Sequence, residues 1–298
     1  MAILSKYNLD RYQYGIDVSK RHQLYGMSGK LIFEGKWLTK GNKTVIIVEM
    51  NQDISQREAE FYLKVNNHRN IIQTFGYIDS TPDWTIFMQE YARFNDLGSV
   101  LLDNQIHFTQ TILLEIFIQI ADAMRYVAQQ RIVHGDLGCR NVLVFRVDEN
   151  EPKNNQVKLT DFGLARWMDQ PLISEEDEIV PIRFCAPEIL KQKQHKSFTE
   201  KSDVYSFAVF IWEALSNGEM PYSSVAKDEI VTTKKLEYEK LPIPKVCDNQ
   251  LWTLMNTCWH RNPDQRPSFD EIKRDLVSMN IIDIPADLIT ESSHRLRK

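Results

Sequence analysis

Apolar positions follow two different rhythms along this chain. Between Gln23 and Ala92, short runs such as Leu31-Ile32-Phe33, Thr44-Val45-Ile46-Ile47-Val48 and Thr85-Ile86-Phe87-Met88 alternate with turn residues, among them Lys40-Gly41-Asn42-Lys43. Runs rich in β-branched and aromatic residues between turn signals predict strands. One helix is expected within this region over residues 55–65, where Ala59, Tyr62 and Val65 share a face and Glu58 lies close to it. From Phe108 onward the period becomes helical: Leu113, Ile116, Phe117, Ile120, Met124 and Val127 recur at steps of three or four, the stripe of a long core helix. Val204, Phe207, Phe210, Ile211 and Ala214 belong to a segment apolar on several faces, as in a helix enclosed by a large lobe. Near the end, Ser268-Phe269-Asp270-Glu271 after Pro267 reads as a capping box that opens a helix carrying Ile272, Leu276 and Val277. The polar stretch 148–155 lies between two apolar runs and reads as a surface loop. The expected architecture is α+β: a small β-rich lobe with one helix, then a larger, mainly helical lobe.

Composition narrows the class. A hydrophobic fraction of 43% over 298 residues allows a sizeable core. Internal repeats, low-complexity tracts and long Pro/Gly/Ser linkers are not found. The 36 Lys+Arg against 41 Asp+Glu give a net charge of -5, which argues against a dedicated nucleic-acid or anionic-membrane binder. No apolar run reaches the roughly 20 residues of a membrane span, and the N-terminus lacks a signal-peptide core, so no membrane insertion is expected and a cytoplasmic location is favoured. Cys139, Cys185, Cys247 and Cys258 have neither metal-ligand nor disulfide spacing and are expected to be reduced thiols.

The densest chemical signal is His134-Gly135-Asp136-Leu137-Gly138-Cys139-Arg140-Asn141, followed by Asp161-Phe162-Gly163. Should a loop and the following hairpin bring Asp136, Asn141 and Asp161 together, their oxygens would suit Mg²⁺ around a phosphoryl group, with one carboxylate left to orient a hydroxyl. Either string alone is a weak signal; both in this order are far more specific.

The pair resembles the catalytic loop and metal-binding motif of eukaryotic protein kinases. Ala186-Pro187-Glu188, Ser202-Asp203-Val204-Tyr205-Ser206-Phe207 and Cys258-Trp259 through Arg266-Pro267 are similar to further motifs of that family. The resemblance implies a bilobal domain over residues 23–280, with an N-lobe at 23–92 and a C-lobe at 93–280, preceded by an extension at 1–22 and followed by a tail at 281–298. It implies ATP and Mg²⁺ as cofactors and a protein as substrate. Asp136 would orient the acceptor hydroxyl, with Arg140 beside it, and Asn141 and Asp161 would hold the metal. Glu188 would pair with Arg266, and Asp203 would brace the catalytic loop. Gln89 would be the gatekeeper, with Glu90 and Ala92 facing adenine through their backbone, and Ile32, Ile46 and Leu143 completing the nucleotide site. Gly138, at a position where Ser/Thr kinases usually carry lysine, and Arg140 resemble the tyrosine-kinase branch, as does the segment from Pro181 to Glu188. There Pro181 would offer a phenol ring an apolar platform, or would only shape the loop.

The resemblance breaks in the N-lobe. Val45-Ile46-Ile47-Val48 puts Val48 where the family carries its ATP-binding lysine, while alignment of the glycine-rich loop puts Tyr25, Met27 and Lys30 at its glycine positions. Lysine at the third position is similar to the With-No-Lysine kinases, in which the cation reaches the phosphates from the neighbouring strand. Lys30 would then be the catalytic lysine, with Glu58 steadying it; the plainer alternative is a solvated strand lysine. Ile46 in place of the usual alanine, Val48, and Gly135 in place of an arginine that pairs with activation-segment phosphates support a different reading, a silent pseudokinase acting as a binding module. The acidic run Ser174-Glu175-Glu176-Asp177-Glu178 reads as a solvated loop. A small-molecule phosphotransferase is a third, weaker possibility.

Overall fold

The structure, a computed structural model, describes residues 6–7, 9–27, 29–79, 81, 83–168, 179–191 and 198–282. The acidic run at 174–178 and the basic C-terminal end lie outside them. Six strands, β1 (Asp10–Tyr12), β2 (Val18–Met27), β3 (Lys30–Trp37), β4 (Lys43–Asn51), β5 (Thr74–Ile78) and β6 (Trp84–Glu90), form one sheet in the order β1-β5-β6-β4-β3-β2. All neighbours pair antiparallel except β1, which adds to the edge parallel to β5. The sheet therefore takes in residues that the sequence pattern set aside as an N-terminal extension: β2 begins at Val18, and β1 begins at Asp10.

Alternation along the strands gives the sheet two apolar faces. Val45 and Ile47 point with Ile86 and Met88 into a small cluster closed by Val18 and Trp37. Val48 and Met50, with Phe87, face the main core. The helix α1 (Gln52–Lys64) follows β4 without a loop, because Asn51 both ends the strand and caps the helix, its side chain accepting from the Ile54 amide at 3.1 Å. This is a turn earlier than the apolar periodicity indicated.

Below the sheet, α2 (Leu97–Asp103) and the long α3 (Gln110–Gln129) lead to β7 (Ile132–Val133), the hairpin of β8 (Val142–Arg146) and β9 (Gln156–Leu159), and β10 (Arg166–Trp167). Then come α4 (Pro187–Lys191), α5 (Glu200–Leu215), α6 (Asp228–Leu236), α7 (Asn249–Cys258) and α8 (Phe269–Ile282). The apolar α5 is buried almost throughout. At the start of α8 the expected capping box is present: Glu271 accepts from the Ser268 amide at 2.8 Å, and Ser268 Oγ accepts from the Glu271 amide at 3.3 Å. This mixed α+β arrangement is the bilobal fold expected. Cys139, Cys185 and Cys258 are buried, and none of the four cysteines forms a disulfide. Among the described residues no helix is long and apolar enough to cross a membrane.

Candidate active site

The turn between β2 and β3 fixes where Lys30 begins its strand. Gly29 has a φ of +81°, and a Cβ on it would come within 2.7 Å of Asn51 Nδ2 and Ile54 Cδ1. Its carbonyl accepts from the Asn51 amide at 2.8 Å, so the hairpin tip is bound to the start of α1. Lys30 is thereby set opposite Met50 in the β3–β4 ladder, and Ile32 is set opposite Val48. Directly opposed residues share a face, and diagonal neighbours lie roughly 7–8 Å apart. Lys30 and Val48 are such diagonal neighbours on the face turned toward α1, a gap within reach of a four-carbon stem.

The ammonium uses that reach. Lys30 Nζ bonds Glu58 Oε1 and lies 3.0 Å from Asp161 Oδ1, with the Tyr62 ring centroid 5.8 Å away. Lys30 is 7% exposed and Glu58 is 1% exposed. Burial opposes the charge on Lys30, but Tyr62, Glu58 and Asp161 outweigh it and hold the ammonium protonated, above the ordinary lysine range. Burial likewise pushes Asp161 up, and Lys30 more than offsets it, so the carboxyl sits below its ordinary value. Val48 is 2% exposed and apolar.

Asp161, with φ +62°, precedes Phe162, whose ring packs edge-on against Tyr62 at 5.3 Å and tilted against His134 at 5.2 Å. His134 Nδ1 accepts from the Asp136 amide at 3.3 Å, which leaves the proton on Nε2, 3.1 Å from the Thr160 carbonyl. Asp203 of α5 accepts from the amides of His134 at 2.7 Å and Gly135 at 3.0 Å. Full burial lifts the Asp203 carboxyl to about 6, against the pull of His134 and the two amides. Glu213, one end of the same helix, accepts from the Cys139 amide at 2.7 Å. Two carboxylates of a buried helix thus hold the loop from beneath. Gly135 has φ +77°, and a Cβ there would meet the Leu164 carbonyl oxygen at 2.8 Å.

On this loop Asp136 pairs with Arg140 and accepts from Asn141 Nδ2 at 2.9 Å. Asn141 Nδ2 also donates to the Asp136 carbonyl at 2.6 Å, which leaves the amide oxygen for a cation. Asp161 and Asn141 thus supply hard oxygen donors that suit Mg²⁺, which typically takes one or two protein carboxylates and completes its shell with water and phosphate. Among the described residues no group of three or more His, Cys, Asp or Glu forms an all-protein metal cage.

Most of the remaining candidates lie on β3, β4, β6 and β8, just after β6, and in the segment before α4. Ile46 stands opposite Gln89 in the β4–β6 ladder, half-buried like Ile32 and Leu143. Gln89 is buried and donates to Thr74 Oγ1 at 3.0 Å. The Glu90 side chain is held by Lys158 at 2.6 Å and by the Gln73 amide at 2.7 Å, while Ala92 is buried. Pro181 is half-buried and accepts from the amides of Phe184 and Cys185, both at 2.9 Å. Phe184 lies under the Arg140 guanidinium at 4.5 Å and covers Gly138, whose Cβ would meet the ring at 3.0 Å. Glu188 and Arg266 form a two-toothed ion pair at 2.6 and 2.8 Å. A cavity of 330 Å³ lined by Leu101, Phe108, Leu113, Leu215 and Val246 shares no residue with this constellation. Sequence reasoning missed Glu213, Lys158 and the Phe184–Arg140 stack; of these only Glu213, an acid inside an apolar helix, carried a signal.

A sequence profile described as protein tyrosine and serine/threonine kinase matches residues 25–276. Among curated proteins the chain is similar to the tyrosine-protein kinase transforming protein Abl of Abelson murine leukemia virus, at 30% identity over 91% of this chain and 36% of that protein. It is also similar to the activated Cdc42 kinase Ack of Drosophila melanogaster, at 33% identity over 72% of the chain and 19% of that protein. Fibroblast growth factor receptor 1 of Dugesia japonica is 29% identical over 88% of the chain and 32% of its own length. The chain spans between 19% and 36% of the length of these three relatives.

Proposed function

We propose that this chain, which belongs to the protein tyrosine and serine/threonine kinase family, transfers the γ-phosphoryl group of ATP to protein hydroxyls, with tyrosine as the acceptor. The observation that carries the proposal is the Lys30 ammonium, bonded to Glu58 and 3.0 Å from Asp161, on the cleft-facing side of the sheet where Val48 offers no charge. The arrangement resembles that of the With-No-Lysine kinases: the phosphate-neutralising cation would enter from β3 rather than β4. Lys30 would meet the phosphates, and Asn141 and Asp161 would hold Mg²⁺, which supplies neutralisation of the charge on the transferring group. Ile32, Ile46, Gln89, Glu90, Ala92 and Leu143 would bound the nucleotide site, with Glu58 steadying Lys30. Asp136 would orient the acceptor hydroxyl and take its proton, and Arg140 would hold the Asp136 carboxylate in place. Tyrosine as acceptor is supported by the names of the relatives, by Gly138, and by Pro181 at the edge of the acceptor side.

The test is incubation with Mg-ATP and a mixed tyrosine and serine peptide pool, with phosphorylated residues identified by mass spectrometry. Phosphotyrosine that disappears in Asp136→Asn is expected. No product, or equal product from both proteins, would move the chain to a nucleotide-independent binding role.

Acid should silence the reaction earlier than an ordinary aspartate would. Burial raises the Asp136 carboxyl above 3.8, against the opposing pull of Arg140 and His134. The base works only when ionised, so kcat/KM should fall as pH drops through this raised value. An acid limb at or below the ordinary aspartate value would remove Asp136 from that role.

A further inference from the structure

Beneath the acceptor-side segment, Lys235 of α6 is 0% exposed, an unusual place for a lysine. Its Nζ donates to the carbonyls of Ile182 at 2.9 Å and Arg183 at 3.1 Å, and stands 5.3 Å from the Tyr205 ring and 5.9 Å from the Tyr222 ring. The same turn is gripped a second time through the Arg183 guanidinium, which reaches Asp228 at 3.0 Å and the carbonyls of Pro221, Tyr222 and Val225 at 3.1, 2.8 and 2.9 Å. The turn held in this way carries Pro181 at one end and Phe184 at the other, and Phe184 supports Arg140, the partner of Asp136. A buried cation under two backbone carbonyls is a costly arrangement that fixes the height and tilt of one particular turn.

We infer that Lys235 is a positioning residue for the acceptor peptide: by holding the Ile182 and Arg183 carbonyls from below, it sets the platform on which the acceptor segment docks beside Asp136. This rests on the proposed kinase function for what the docked segment is, but not for whether it binds. Lys235 has no contact of its own with the nucleotide-side groups Lys30, Asn141 and Asp161, so its effect belongs to peptide affinity. Burial also pushes the Lys235 amine down to about 8, against the pull of Cys185 and Glu188, so the unmodified chain contains its own titration of this hold. The groups that face Nζ are the Tyr205 ring of α5, the Tyr222 ring of the following loop, Cys185 of the held turn and, at longer range, Glu188 of α4. Loss of the third proton takes away the charge that strengthens both carbonyl bonds.

The experiment measures binding of a rhodamine-labelled random copolymer of glutamate and tyrosine by fluorescence anisotropy, and of Mg-ATP by calorimetry, for the unmodified chain and Lys235→Met. The expected result is roughly tenfold weaker copolymer binding with Mg-ATP affinity within about twofold, as the loss of one or two charge-assisted bonds implies. Unchanged copolymer affinity in a folded Lys235→Met, equal losses for both ligands, or no binding by the unmodified chain would overturn the inference. Should Lys235→Met lack a melting transition, the pH series decides. Copolymer affinity of the unmodified chain should weaken as pH rises through about 8 while Mg-ATP affinity stays level, and a flat copolymer series would overturn the inference. Phosphotransfer is measured separately: a chain that binds the copolymer in a Lys235-dependent way without phosphorylating it keeps this inference and defeats the kinase reading.

Discussion

Lys30→Met should lower kcat by roughly a hundred- to a thousandfold, the cost of removing one preorganised charge from a site where charge develops. Methionine keeps most of the stem's volume, so the β2–β3 hairpin should survive, held as it is by the Gly29 carbonyl and the Asn51 amide. The deeper consequence is electrostatic. Glu58 and Asp161 both depend on this ammonium, and without it the buried Glu58 carboxylate and the partly exposed Asp161 carboxylate are left with no cation between them. Glu58 would take up a proton, and Asp161 would lose the interaction that holds its carboxyl low. Val48→Ala supplies the contrast. Val48 is buried in the main core, so its truncation should cost stability, on the order of 1 kcal/mol or somewhat more, but little turnover per folded molecule. Equal and small effects of the two substitutions on kcat would show that the phosphate-neutralising charge comes from elsewhere.

The ion pair of Lys30 with Glu58 was in part legible, because a missing charge at Val48 and an unexpected one at Lys30 are both visible as letters. The reach was not: it depends on the register that puts Lys30 opposite Met50, and on a hairpin tip that only glycine at position 29 can press against α1. The strands 31–33, 44–48 and 85–88 were legible from β-branched runs, whereas Asp10–Tyr12 was not, because three polar and aromatic residues become a strand only by pairing with residues 76–78 far along the chain. The start of α1 was hidden for a related reason, since Gln52 and Asp53 add nothing apolar to the periodicity and the helix begins on the Asn51 cap. Lys235 was the least legible of all. A Lys-Lys pair near a helix end reads as solvated surface, and only the three-dimensional stacking of Tyr205, Tyr222 and the turn at 182–183 encloses one of the two.

The ion pair of Glu188 and Arg266 joins two motifs 78 residues apart, and Arg266→Ala should be among the most destabilising single changes in the C-lobe. The Arg266 side chain is 0% exposed, and four of its five N–H donors are engaged: two on Glu188, one on the Lys201 carbonyl at 2.8 Å and one on the His260 carbonyl at 3.0 Å, with the Tyr205 ring 5.2 Å away. Truncation removes one partner and leaves a carboxylate and two carbonyls facing a void. Breaking a buried pair in this one-sided way typically costs about 3–5 kcal/mol, a large share of the roughly 5–15 kcal/mol that holds a domain folded. Glu188 is partly exposed, so part of its stranded charge can be rehydrated, which places the expected value toward the lower end of that range. Glu188→Gln should also be costly: the amide oxygen still accepts one bond from Arg266, but the fully buried guanidinium loses its counter-charge. Equilibrium urea denaturation of the two variants measures both losses. A loss below about 1 kcal/mol for Arg266→Ala would mean that water reaches the pair and that the helix α4 is anchored by its apolar contacts alone. The expected larger loss would carry a functional corollary, because α4 directly continues the turn that holds Pro181 and Phe184: loosening its anchor should weaken peptide binding in the same direction as Lys235→Met, from the opposite end of the segment.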